Sequence, residues 1–144
     1  MDEQLLHRRI IEGSPDAIIL GDAEGIIRLW NAGAEAVFGF TAAEAIGQSL
    51  DLIIPERLRG RHWDGYHQVM ATGTSRYGHG DLLAVPATRK DGGTISVEFT
   101  IQMLKDEAGR ITGLVAIIRD VTKRFQREKE LARRLKDLEA KVQG

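Results

Sequence analysis

The stretch PERLRGRHWDGYHQVMATG, residues 55–73, holds the side chain best placed to do chemistry, His62. Pro55 suits a first helical turn and Gly73 a helix end, so the spacing predicts one helix between them. On that helix His62 shares a stripe with Leu58, Tyr66 and Val69. Such an imidazole is either part of a packed wall, its ring on Leu58 and Tyr66, or the group that holds a ligand. Trp30 and Trp63 are large enough to flank a flavin ring (FAD or FMN). Arg57, Arg59 and Arg61 form either a wet face or an anion contact, while His67 and His79 read as solvated.

Other chemistries lack their parts. With no cysteine in the chain there is no disulfide, thiolate nucleophile or sulfur-bound metal, and no photochemistry through a cysteinyl adduct. The glycines of RYGHGD open no helix, so they make no phosphate loop. No serine, histidine and acid arrangement stands out, and an enzyme is not expected. Twenty Lys and Arg against 21 Asp and Glu leave a net charge of −1, which offers no basic field for nucleic acid. No apolar run has the length of a membrane span, and a cytoplasmic protein without membrane contact is expected.

The chain has 144 residues, 42% of them hydrophobic, enough for one domain with its own core. Residues 2–12 predict a short amphipathic helix ended by Gly13-Ser14-Pro15. Ala17–Gly21 and Ile26–Asn31 predict a hairpin, and Asn31 can cap the helix Ala32–Phe38 that follows. Thr41 and Glu44 have capping-box spacing. After the helix from Pro55 the period changes to two. In TISVEFTIQM, Ile95, Val97, Phe99, Ile101 and Met103 alternate with polar residues, a strand with one wet face. ITGLVAIIR predicts a central strand, and DLLAVPATR an edge strand because Pro86 cannot donate a ladder hydrogen bond. Two strands, helices and three more strands make an α+β fold with the helices on one face of an antiparallel sheet.

This order, with WNAGAEAVFGF, RKDGGTISVEFTI and IIRDVTKR, resembles that of PAS sensor domains over roughly residues 8–123. The resemblance implies a PAS fold: a five-stranded antiparallel sheet whose two hairpins meet through the first and last strands, and an apolar cavity under short helices. Residues 1–13 would form an N-terminal flanking helix, 14–120 the domain and 121–144 a C-terminal helix. In PERLRGRH, His62 matches the haem histidine of the FixL-type members, which implies haem b on His62, with Leu58 and Tyr66 beside it and Met103 as a possible sixth ligand. Leu83 stands where those oxygen sensors carry an arginine, which favours carbon monoxide or nitric oxide over oxygen. Tyr66 follows His62 by one residue more than in those sensors. Ile101, Met103, Val115 and Ile117 are expected on the inner face, where a small-molecule ligand would be felt. A cofactor-free interaction module is the alternative.

Asp120 and Thr122 form the D-x-T joint that, in resembling domains, passes a signal from the last strand to an effector helix. Beyond it Leu131, Leu135, Leu138 and Val142 are spaced four, three and four apart, a coiled-coil seam for a homodimer. A single helix folded back on its own sheet is the other possibility. With no kinase, cyclase or DNA-binding segment after Gly144, the output partner is expected to be a separate or fused signalling effector, such as a histidine kinase or regulator.

Overall fold

The architecture comes from a computed structural model that describes residues 2–74 and 83–143. His79 lies outside the described residues. The elements run α1 (Glu3–Gly13), β1 (Ala17–Asp22), β2 (Ile27–Trp30), α2 (Ala32–Phe38), α3 (Ala42–Ala45), α4 (Arg59–Thr72), β3 (Leu83–Thr88), β4 (Thr94–Lys105), β5 (Ile111–Asp120) and α5 (Thr122–Gln143). Two 3-10 turns, Leu50–Ile53 and Glu56–Leu58, precede α4. No helix among the described residues is long and apolar enough to cross a membrane.

The strands form one antiparallel sheet in the order β2-β1-β5-β4-β3. The two hairpins meet through β1 and β5, the first and last strands, and β3 with its Pro86 is at an edge. Over one face lie α2, α3, α4 and the turns. Phe38, Ala45, Leu50, Ile53, Tyr66 and Val69 pack there against Ile19, Ile27, Trp30, Val97, Leu114 and Ile118.

Asn31 does more than cap α2. Its side chain is fully buried, and its Oδ1 accepts from the backbone of Ala34 (2.9 Å) and of Ile18 (2.8 Å). Its Nδ2 donates to the carbonyls of Ile11 (2.8 Å) and Asp16 (3.0 Å). One amide therefore joins the end of α1, the start of β1 and the first turn of α2, with all its polar atoms in use. Gly33 lets these segments close, since a Cβ there would stand 2.1 Å from the Asp16 carbonyl oxygen.

The register corrects the sequence on β5. Ala116 pairs with Ile101 and Leu114 with Met103, so Leu114, Ala116 and Ile118 share the inner face with β4's apolar row. Val115 and Ile117 pair with Gln102 and Thr100 on the opposite face, and Ile117 is 40% exposed. ITGLVAIIR is apolar at nearly every position, so its own pattern carries no parity. Parity comes from the hydrogen bonds to β1 and β4, and a one-residue change exchanges the faces.

Candidate functional site around His62

Pro55 leads a 3-10 turn and α4 begins only at Arg59, later than the single helix expected from Pro55. Arg59 accounts for the join. Its Nε donates to the Ile54 carbonyl (3.1 Å) and its Nη2 to that of Asp51 (3.3 Å), so the start of α4 is tied back to the earlier turn, Leu50–Ile53, and its end at Ile54. At the other end Gly73 adopts φ +72° and its N–H reaches the Val69 carbonyl, a left-handed helix stop.

Along α4 the aromatic side chains grip the β1–β2 turn. Tyr66 is buried and its hydroxyl donates to the Asp22 carbonyl at 2.6 Å. Burial, with the charges of Asp22 and Glu24 adding to it, pushes the Tyr66 phenol well above its ordinary pKa. Trp63 lies over Gly25, where a Cβ would be 2.1 Å from its Cη2, and its indole N–H donates to Asp51 Oδ1 at 2.7 Å. Gly25 has φ +78°, a second reason for glycine there.

His62 completes a three-ring cluster with them, 4.8 Å from Trp63 edge-on and 5.7 Å from Tyr66, whose rings are 5.3 Å from each other. The residue is partly buried and its Nδ1 is buried without a hydrogen-bond partner. Burial lowers its pKa; the Asp51 carboxylate opposes this and His67 adds to it. The imidazole is therefore neutral at pH 7, the form that ligates metals. Its orphaned nitrogen makes the position fit a metal-bearing group, since buried polar atoms without partners are rare.

The remaining candidates divide. Leu58 is partly buried, and Ile101 and Met103 lie on the inner face against the core. Leu83 is in register with Phe99, and its side chain lies outside the described residues. Val115 and Ile117 are not brought to this face. Arg57 and Arg61 are exposed, as is His67, whose ring stacks on Trp63. Trp30 belongs to a separate aromatic cluster with Phe38 and Phe40 and donates to the Phe40 carbonyl, so the two tryptophans do not flank one space. Asp22, Gly25 and Asp51 were missed as partners of α4. Only the turn composition of Asp22-Ala23-Glu24-Gly25 hinted at them.

At the output end Asp120 Oδ1 accepts from the Thr122 N–H (2.9 Å) and hydroxyl (2.5 Å). The Thr122 hydroxyl in turn accepts from the Ser96 N–H (3.0 Å), and the Val121 N–H donates to the Ser96 carbonyl (2.8 Å). Arg124 pairs with Glu98 of β4. The first turn of α5 is thus tied to β4, whereas Leu131, Leu135, Leu138 and Val142 are all exposed. The seam does not fold back onto the sheet of its own chain.

An antiparallel five-stranded sheet with short helices over one face and helices at both ends defines the class, an α+β domain. Residues 6–121 match the model of the PAS fold, and the chain belongs to that family. It is similar to the Sensor protein FixL of Bradyrhizobium diazoefficiens, 33% identical over 86% of this chain and 24% of the relative. It is also similar to the Cell-division control histidine kinase PdhS of Brucella ovis, 28% identical over 92% of this chain and 12% of the relative. The chain thus spans a quarter or less of these proteins. Among solved structures, a PAS domain from Colwellia psychrerythraea shares the fold with a TM-score of 0.73 at 22% identity, covering 85% of this chain and 99% of that one. An RNA-binding light-oxygen-voltage receptor gives a TM-score of 0.74 at 22% identity, covering 93% and 37%. The chain is a PAS domain related to sensor histidine kinases.

Proposed function

We propose that the chain is a sensory module that holds a small ligand or cofactor between α4 and the inner face of the sheet and relays its state to α5. Residues 14–120 are the sensing unit, with 1–13 and 121–144 as flanking helices. The observation that carries this is His62, a neutral imidazole with a buried, unpartnered nitrogen on the helix that covers the sheet. In its most concrete form the group is haem b, with His62 as axial ligand and Leu58, Tyr66, Ile101 and Met103 around it, as PERLRGRH and its resemblance to haem-binding members suggest. Such a group would supply an iron site able to bind a diatomic gas.

A ligand shifts this equilibrium only by its differential affinity for two states. Ile101 and Met103 pair with Ala116 and Leu114, so a change in packing at the inner face reaches both central strands. Ser96 and Glu98 of β4 hold the start of α5 through Thr122 and Arg124. The relay is therefore short and continuous. Because FixL is named a sensor protein and PdhS a histidine kinase, the output partner is proposed to be a kinase, fused or separate, acting through a dimer of this chain joined along the α5 seam.

The absorption spectrum of the purified chain, with and without added haem, tests the ligand. A Soret band that His62→Ala abolishes supports the haem form. A colourless protein that takes up none leaves the cofactor-free interaction module ahead. That second reading is favoured by the tight packing at one end of the inner face, where a Cβ on Gly21 would meet the Tyr66 hydroxyl at 2.7 Å and Leu50 at 2.9 Å.

A further inference from the structure

We infer that Asp51 is a positioning residue for His62, acting through the indole of Trp63. The inference rests on the reading of His62 as the group that holds the ligand, and it names what fixes that ring. An imidazole that binds a metal is ordinarily oriented by a hydrogen bond on its other nitrogen, to a carboxylate, a carbonyl or water. The buried Nδ1 of His62 has no such bond. The Asp51 carboxylate instead serves the next side chain along the helix, its Oδ1 accepting from the Trp63 indole N–H at 2.7 Å. Packing of the indole against the imidazole therefore takes the part that a direct hydrogen bond usually plays.

Trp63 sits in a socket whose two walls are fixed to each other. The Leu50 N–H donates to the Gly25 carbonyl at 3.0 Å, so the 3-10 turn that carries Asp51 is bound to the glycine beneath the indole. A Cβ on Gly25 would stand 2.1 Å from Cη2 and 2.2 Å from Cζ3 of Trp63, which shows how closely the ring is seated. His67 stacks on the indole at 5.9 Å, and Tyr66 meets it edge-on at 5.3 Å. With the indole held on these sides, its contact with His62, 4.8 Å and 74° between planes, is the edge-to-face arrangement that aromatic rings prefer. Turning the imidazole gives up that contact. Releasing the indole from Asp51 frees both rings to turn.

Substitutions in the full chain separate this from a role in stability. Asp51→Ala removes the acceptor, and Trp63→Phe keeps a ring beside His62 while removing the donor. Asp51→Asn keeps an acceptor oxygen and gives up the charge that faces Arg59 at 3.9 Å. The Asp51 side chain is 41% exposed, so Asp51→Ala is expected to fold; Asp51→Leu, of similar shape and without an acceptor, is the second variant. In the haem-free chain the ring-proton NMR signals of His62 should move toward those of a free histidine in Asp51→Ala and stay in place in Asp51→Asn. Added haem should bind about tenfold more weakly to Asp51→Ala and to Trp63→Phe, nearly as in the wild type to Asp51→Asn, and no more weakly to the double variant than to Trp63→Phe alone. Unmoved His62 signals in Asp51→Ala overturn the inference. Losses that add in the double variant also overturn it, because Asp51 then acts without Trp63, and an equal loss in Asp51→Asn does so by assigning the effect to charge. A wild type that takes up no haem, or a His62→Ala that takes up as much, overturns the haem reading instead. The His62 signals in Asp51→Ala and Asp51→Asn then decide the positioning by themselves.

Discussion

The hydroxyl of Tyr66 donates to the main-chain carbonyl of Asp22 across 2.6 Å, joining α4 to the end of β1. Forty-four residues separate the two, so this bond decides how closely the candidate site is held to the sheet.

Tyr66→Phe keeps the ring and removes the donor, leaving the Asp22 carbonyl without this partner. A loss of about 1–2 kcal/mol is expected in urea unfolding, with little change in m-value because the buried apolar area is nearly the same. A loss within error would show that water replaces the hydroxyl.

His62 gives the protein a pH dependence of known sign. Its folded pKa lies below the ordinary 6.5, so between the two values the unfolded chain binds more protons than the folded one. The stability it contributes is complete above about pH 6.5 and drains away as pH falls toward the folded value. Unfolding curves of the wild type and His62→Gln, measured from pH 7.5 to 5, should diverge in that sense. Parallel curves would count against a buried neutral imidazole.

Asn31→Ala leaves two backbone donors and two carbonyls to find new partners inside the core. The expected cost is about 3–5 kcal/mol, and hydrogen exchange should rise together at the end of α1, in β1 and in the first turn of α2. Loss of the cap alone would cost about 1 kcal/mol and leave β1 unaffected.

Glu98→Ala releases Arg124 and weakens the hold of β4 on α5. Arg124 is about half exposed, so global stability should fall by no more than about 1 kcal/mol. Exchange of the first-turn amides of α5 should nevertheless quicken severalfold, with the core strands unchanged. Equal protection in both proteins would assign the joint to Thr122 alone.

Much of this is legible in the amino-acid order. The alternation through TISVEFTIQM fixed which side of β4 meets the core, Pro86 put its strand at an edge, and Asn31 and Thr41 marked helix starts. Each is a local signal, written in neighbours along the chain. The boundary at Pro55 was less legible because a proline that fits a first α-turn fits a 3-10 turn equally well.

For the site, the amino-acid order determined a helix with His62 and Tyr66 on one stripe, because helical periodicity needs only the spacing of residues. Tertiary structure alone decided that Trp63 and Tyr66 clamp Gly25 and Asp22, that Nδ1 of His62 is left without a partner, and that Leu114 and Ala116 rather than Val115 and Ile117 face inward. Those outcomes depend on strand register and on contacts between distant segments, and an unbroken apolar run or a single ring nitrogen carries no local trace of either.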